Sequence, residues 1–561
     1  MQKKILTGFV AALMVTVASF AAAPAHLKYV AMYDSEPWTM QGWCNFSFSS
    51  DLTLVNDGAK RGMEGFVDVG HVFLRETWNG PGGSWSGFAL AADYQSCWKA
   101  FANLIAPAVT NGYVKGFMIL DEPVWNGISV ADLGTICTAI KTSFPNAITM
   151  VVEAEPAITA GHDILNEPVN YNPIPASVDW IGFDHYTSVA TVKSEYQNTL
   201  YSYMNANQRA ILVPQAYGSN LVAGKTLAQW DAEMVAYAQQ YYDWAKTDTK
   251  IIGIVPWHWL TLDEQWWVDG CTYEIGARDM AGLNAKWHQI GAEIIANQPV
   301  TPKTTDMQFI QTFEGFSNGE ILPSTYTADP WGANQFVAPP TTQIAFSTNR
   351  SVVMPGASIY MKNITGSSGF RYCWGTNSQN PGRGWKGHTV QYFQFSVYID
   401  TTKMPVMDVT PYKASSKVFD LGFGTGGLSF ADGKSSNIVA GMDKIVNNAW
   451  NKVKVKVDMV SFDKNDDNKV TIWLNDAVVY DELFTSNAEV AFDNLGFYKS
   501  AGQCYLDNIG MWGEIGCGEW GYYEGDLNYD CKVDLGDTSV LAVNWLNCTA
   551  PDNEDCVNLM E

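Results

Sequence analysis

Between Leu27 and Gln298, short, nearly continuous apolar runs alternate with longer stretches of helical periodicity. That alternation constrains the fold more than any other feature of the chain. The strand candidates are LKYVAMYD (27–34), FVDVGHVF (66–73), GFMILDE (116–122), AITMVVE (147–153), VDWIGFDHY (178–186), AILVPQAY (210–217) and KIIGIVPWHW (250–259). Segments such as Ser129–Ser143 and Leu227–Thr247 lie between them and are long and periodic enough for helices. Strands that are apolar on both faces must be covered on both faces, so interposed helices predict a parallel sheet. A (β/α)8 barrel of the TIM type takes about 250 residues, and 26–298 supplies that span. Seven strand candidates are found where a closed barrel needs eight; the eighth is expected between Trp78 and Tyr94, where glycines hide the pattern. An open doubly wound sheet is the rival, disfavoured because no glycine-rich phosphate loop follows the first strand.

The pattern changes after NQPVTPKTTD (297–306), of which 299–305 reads as a Pro/Thr linker. From 306 to 514, runs such as TQIAFSTN, VQYFQFSVYI, KVKVKVDMV and KVTIWLNDAVVY alternate apolar and polar residues, with Gly, Asn and Asp turns between them. That is the signature of antiparallel strands and predicts a two-sheet β-sandwich of jelly-roll type. The remainder, 517–561, is acidic and rich in cysteine and forms a third unit. A chain of 561 residues is long enough for such a multidomain plan.

Lys3 and Lys4 precede an apolar stretch from Ile5 to Phe20 and small residues through Ala25. This is the pattern of an export signal over 1–25, with cleavage after Ala23 or Ala25 and a mature chain near His26. No later segment reaches the roughly 20 apolar residues of a membrane span. A secreted or cell-surface-associated protein is expected, with its ten cysteines where disulfides form. The net charge of −24 and pI near 4.6 argue against nucleic acid or an anionic membrane as partner. They suit a protein that acts on neutral substrates or holds calcium. Aromatic residues make up 13% of the chain, with 22 Trp and 26 Tyr; rings not needed for packing are well suited to stacking on sugars.

In a parallel barrel, chemistry gathers at the C-terminal ends of the strands. Five candidates end there in polar or aromatic groups: Asp121 and Glu122; Glu153 and Glu155; Asp184, His185 and Tyr186; Gln215 and Tyr217; Trp257, His258 and Trp259. Adjacent carboxylates such as Asp121 and Glu122 cannot easily both ionise, so one keeps a raised pKa, which a general acid needs. Trp125, Tyr186, Tyr217, Trp257 and Trp259 would wall a sugar site. No HExxH, CxxC pair or GxSxG motif occurs, which disfavours zinc and the common serine-hydrolase layout, and no catalytic cofactor is expected.

This constellation resembles the barrel glycoside hydrolases of the large clan that includes cellulases and β-galactosidases. There a Glu ends the fourth strand as acid/base, a second Glu ends the seventh, and a Trp sits on the eighth. With GFMILDEP as strand four, Gln215 falls on strand seven and Trp257 on strand eight. An amide cannot serve as an ionised nucleophile, so the two-Glu mechanism does not carry over. The Asp-Glu-Pro run also resembles the substrate-assisted hexosaminidases, in which the Asp orients the sugar's acetamido group and the Glu protonates the leaving oxygen. The resemblance implies Glu122 as general acid, with either Asp121 positioning an acetamido group or Asp184 as second carboxylate. Two rival functions stand beside this one: a catalytically inactive carbohydrate-binding barrel, favoured by Gln215, and an attachment protein docked through its tail.

The sandwich, which begins FIQTFEGFSNGEI and ends CYLDNIGMWGE, resembles carbohydrate-binding and laminin-G-like jelly rolls. That resemblance implies a structural calcium shared by Glu314 and Asp507. Asp463, Asn465 and Asp467 have calcium-loop spacing, but Leu474 falls where the twelfth ligand belongs, so a polar hairpin turn is expected there. In GDLNYDCKVDLGDTSVLAVNWL, Asp526, Asn528, Asp530, Asp534 and Asp537 occupy loop positions 1, 3, 5, 9 and 12, and Lys532 offers its carbonyl at 7. Calcium takes about six to eight oxygens, which this spacing supplies. The loop and following helix resemble a dockerin, with Cys531 in place of the usual Gly and a single repeat. The resemblance implies a cohesin-like or cell-surface partner. Cys517 with Cys531, and Cys548 with Cys556, are the local disulfides expected.

Overall fold

The fold is that of a computed structural model. It describes residues 23–515 except 34, 36, 80–85, 220–223, 262–273, 306, 319–334, 338–343, 353, 355–356, 362–367, 374–387, 401, 403–404, 414–415, 425–426, 432–437, 441, 463–467 and 486–493. Residues 1–22 of the expected leader, the tail with its expected calcium loop and both expected disulfides, and the turn at Asp463–Asp467 lie outside the described residues.

Eight parallel strands build the first half: β1 Tyr29–Val30, β2 Phe46–Ser49, β3 Glu64–Asp68, β4 Val114–Asp121, β5 Ile148–Ala154, β6 Trp180–Asp184, β7 Arg209–Leu212 and β8 Ile251–Ile254. From β2 onward each pairs with the next in sequence, and β8 pairs with β1, which leaves β1 and β2 as the two edges. Asn45 brings the remaining edges together: its backbone N–H donates to the Val30 carbonyl at 3.1 Å and its Oδ1 accepts the Val30 N–H at 3.0 Å. The interior is filled by Tyr29, Phe46, Phe66, Met118, Met150, Val152, Trp180 and Ile211. Tyr29 and Phe66 lie 4.5 and 5.1 Å from Trp180 between ring centroids. The expected helices form over Val130–Ser143 and Leu227–Thr247. The first is capped by the Ser129 hydroxyl and the second by a reciprocal Thr226–Gln229 box.

The eighth strand corrects the sequence expectation. It is β2, FSFS, whose alternating serines lack the continuous apolar run of its neighbours, and not a strand between Trp78 and Tyr94. Leu74–Asn79 and Ser86–Leu90 instead form an antiparallel hairpin separate from the barrel sheet. FVDVGHVF is likewise a strand only to Asp68; the Asp68 carboxylate accepts the Gly70 N–H at 2.9 Å, and Gly70–Phe73 turns helical.

The second half is a sandwich of two antiparallel sheets. One is centred on His388–Ile399 between Ala449–Phe462 and Cys504–Ile515, the other on Val406–Lys413 between Asp420–Gly424 and Asn494–Ala501. Their inner faces meet through aromatic rings: Phe395 lies 5.5 Å from Phe497 and 5.9 Å from Phe423. The chain between barrel and sandwich is pinned along the barrel helices. Lys303 N–H donates to the Ala59 carbonyl at 2.9 Å and Met307 N–H to Asn56 Oδ1 at 2.8 Å. Gln311 Nε2 reaches the Ala100 carbonyl at 2.9 Å in a buried bond. Among the described residues, no helix is long and apolar enough to cross a membrane.

Candidate active site

The acidic doublet stands at the C-terminal rim, where β4 ends in an unusual backbone. Leu120 has φ +54° and Glu122 φ +50°, on either side of Asp121. Left-handed backbone at a residue with a side chain costs about 1–3 kcal/mol and persists only where surrounding structure holds it. Here the holders are visible. Leu120 N–H donates to Asp68 Oδ1 at 3.3 Å, and Glu122 N–H to the Val152 carbonyl at 2.9 Å. Asn126 Nδ2 caps the Asp121 and Glu122 carbonyls at 3.3 and 3.0 Å.

Three sequence-identified carboxylates converge on this rim. Glu122 and Asp184 lie close enough to act on each other directly, and Tyr186 acts on Asp184 from the same strand end. Tyr33, at the end of the first barrel segment, donates to Asp121 Oδ1 at 3.0 Å. Burial first, then the charges of Asp184 and Asp121, push the Glu122 carboxyl well above the ordinary carboxylate range. Burial also raises Asp184, although hydrogen bonds from Tyr186 and Glu122 pull it back down. The consistent assignment is one proton between the two, carried by Glu122 and donated to the Asp184 carboxylate. Burial and the neighbouring carboxylates hold the Tyr33 and Tyr186 phenols well above their usual range, so both remain donors.

Aromatic rings border this group. Half-buried Trp257 lies 5.0 Å from Tyr33, which in turn lies 4.6 Å from Phe48. Tyr186 meets Tyr217 edge-on at 5.4 Å, and Tyr217 stacks on buried His258 at 5.3 Å. Gln215 sits at the end of β7, bridged to Trp257, with its amide turned to the Tyr217 carbonyl at 3.0 Å. Trp125 is half-buried beside His162.

Two expected sugar contacts are placed elsewhere. Trp259 is 3% exposed and packs against Trp43 and His288 in the layer between sheet and helices. Glu153 is 0% exposed; its carboxylate accepts the Val124 and Trp125 N–H groups at 3.0 and 3.3 Å and the Tyr171 hydroxyl. Tyr33, Tyr171 and Asp68 are participants that sequence reasoning missed. Tyr33 carried a usable signal, since it stands next to the end of the run LKYVAMYD, at the productive end of a strand.

Glu155, His185 and Glu195 bring ligand atoms within 4.8 Å of one another, the one such metal-compatible group among the described residues. His185 Nδ1 is already bonded to Glu195 Oε2 at 2.9 Å, so the three form a closed polar cluster beside the acid pair. In the sandwich, Asp507 is buried and accepts the N–H groups of Val352 and Asn508, both at 2.8 Å. Burial first, and Glu314 last among the causes, raise its carboxyl to about 6. The four cysteines Cys44, Cys97, Cys137 and Cys504 are buried free thiols. A broad groove of about 980 Å³ lies along the Val130–Ser143 helix, lined by Ala131, Thr138, Pro145, Pro175 and Ser177 and by none of the three carboxylates.

No protein-family model matches the chain, and no curated protein matches it. Among solved structures, xylanase 10B from Thermotoga maritima aligns at 9% identity over 48% of this chain and 96% of its own, with a TM-score of 0.30. Xylanase 10B from Thermotoga petrophila RKU-1, in complex with xylobiose, aligns at 10% identity over 47% and 94%, also at 0.30. A mutant of alginate lyase Aly36B in complex with alginate trisaccharide aligns at 9% identity over 37% and 98%, at 0.23. Likenesses at these scores carry no argument about this chain.

Proposed function

We propose that the chain is a secreted glycoside hydrolase in which Glu122 is the general acid. One observation carries the reading: Glu122 meets Asp184 and Asp121 on an aromatic-bordered rim at the end of β4, where burial and those two charges raise its carboxyl. A carboxyl that stays protonated near neutrality can deliver that proton to a departing glycosidic oxygen.

The spacing of the carboxylates bears on the second role. Two carboxyls acting on opposite sides of a glycosidic bond stand about 5–5.5 Å apart for retention and about 6.5–9.5 Å apart for inversion. Asp184 acts directly on Glu122 here, as the partner that shares its proton. That favours Asp184 as the keeper of the Glu122 proton and disfavours it as nucleophile or base. With an amide, Gln215, at the end of β7, attack falls to the substrate. Asp121, fixed by Tyr33, orients a 2-acetamido group whose carbonyl oxygen attacks the anomeric carbon while Glu122 protonates the leaving oxygen. Water then opens the oxazolinium intermediate and returns its proton to Glu122.

A panel of N-acetylhexosaminides and plain hexosides tests this. The wild type should cleave the former, and Glu122→Gln should lose about 10²- to 10⁴-fold in rate. Full activity in Glu122→Gln would remove the assignment. Equal cleavage of plain hexosides would return Asp184 to the role of second carboxylate. Gln215 favours a second reading, a barrel that binds carbohydrate without cleaving it; retention in affinity gels with no release of reducing ends would establish that one instead. The proposal extends to the tail, where Asp526, Asn528, Asp530, Lys532, Asp534 and Asp537 would hold a calcium ion and present a docking surface to a cell-surface or cohesin-like partner.

A further inference from the structure

Glu153 is the buried titratable group that the proposed reaction leaves without a task. It offers nothing to a saccharide, being 0% exposed. Its two oxygens are instead spent on two consecutive backbone amides, Oε1 on Val124 N–H at 3.0 Å and Oε2 on Trp125 N–H at 3.3 Å, with the Tyr171 hydroxyl also on Oε1. Desolvating a carboxylate is costly, and burial first, with the Asp184 charge behind it, moves this one up to about 7 in spite of its three hydrogen bonds. The groups that act on it most strongly, Tyr171, the Val124 and Trp125 amides and Asp184, include no cation. A core that needed only filling would not be served by such a group.

The two amides belong to the turn that begins at Glu122 with φ +50°. The other flank of the doublet, Leu120, is held by Asp68 from β3. Carboxylates from the two strands neighbouring β4 thus brace its strained end from both sides, and Glu153 is the wholly buried one. A glutamine cannot replace it in kind. It supplies one acceptor oxygen, and its NH2 would face one of the two N–H groups, leaving that amide unpaired.

We propose that Glu153 is a positioning residue: a buried carboxylate that clamps the 122–125 turn from behind and so fixes where the Glu122 carboxyl stands. The inference rests on the reading of Glu122 as the acid, and it is testable apart from that reading. In the full chain without ligand, hydrogen exchange of the Val124 and Trp125 amides is followed by mass spectrometry or NMR. In Glu153→Gln, exchange at one or both should accelerate about tenfold or more, while Ile148–Met150 at the far end of β5 stays protected. On any substrate found in the glycoside panel, kcat should fall with KM little changed, because a displaced acid affects the reacting bond more than sugar binding. Unchanged exchange at both amides would overturn the clamp. Equal acceleration throughout the barrel, or a rise in KM at constant kcat, would overturn the positioning role.

Tyr171→Phe is the milder variant should Glu153→Gln fail to fold. It leaves both amides on the carboxylate and removes the third donor. Faster exchange confined to the same two amides supports the clamp, and faster exchange spread evenly through the barrel refutes it. If Glu122→Gln proves fully active, the acid assignment fails while the exchange result still decides whether the clamp exists.

Discussion

At the scale of single residues, Glu122 carries the most direct consequence. Its proton is held more tightly in the fold than in the unfolded chain, where a glutamate titrates near 4.3. Over the pH range between those two affinities the native state keeps a proton that the unfolded state has lost. This group's contribution to stability is therefore greatest at low pH and declines as pH rises through that window. Glu122→Gln abolishes the titration. Its melting temperature should gain on that of the wild type as pH goes from about 4 to about 8, and a constant difference across that range would contradict the held proton.

The same scale shows what a period of two makes legible. Trp180 lies inside the barrel while Ile181 and Phe183 pack outside it, so Asp184 and Tyr186 continue the inward set. Ile211 and Val213 do the same for Gln215 and Tyr217. Glu153 follows inward Val152 and belongs to the outward set with Val151, which is why it lies behind the strand. Alternation held the information needed to separate Glu153 from the others. For Trp259, two residues beyond the half-buried Trp257, the chain has left the strand and no period applies.

At the scale of elements, β1 and barrel strands three to eight were legible because each lies in a largely apolar run. β2 was not, because its serines imitate a half-exposed strand and its buried partner is a polar residue. Asn45 is 1% exposed and serves β1 on both sides: Oδ1 takes the Val30 N–H, and Nδ2 donates to the Lys28 carbonyl at 2.6 Å and the Gln298 carbonyl at 3.2 Å. No sequence pattern marks an asparagine as a barrel seam. Asn45→Ala strands these backbone groups, and denaturant unfolding should register a loss of about 1–3 kcal/mol for each buried group left unpaired. A loss below about 0.5 kcal/mol would mean that water or a neighbour replaces the amide.

At the scale of the whole molecule, the change from alternating strands and helices to alternating apolar and polar residues marked the passage from barrel to sandwich. The calcium site proposed for the tail is tested at this scale. Titrating calcium into the full chain by calorimetry should give a binding heat that is lost in Asp526→Ala and Asp537→Ala while the barrel's activity is unaffected. Identical isotherms for wild type and variants would place any calcium elsewhere.

The segment 299–305 has the composition of a tether, yet on either side of the junction the chain is stitched to the barrel. Lys303 lies on the Ala59 carbonyl, Tyr113 reaches Thr305 at 2.7 Å, Gln311 is buried under Ala100, and Asn103 holds the Glu314 carbonyl at 2.7 Å. A protease cut within that stretch would sever the covalent link without parting the halves, and the nicked protein would still elute as one particle. Any saccharide gripped by the sandwich would thus be presented to the barrel at a fixed angle, as a vice holds work against a blade and not as a leash allows it to wander.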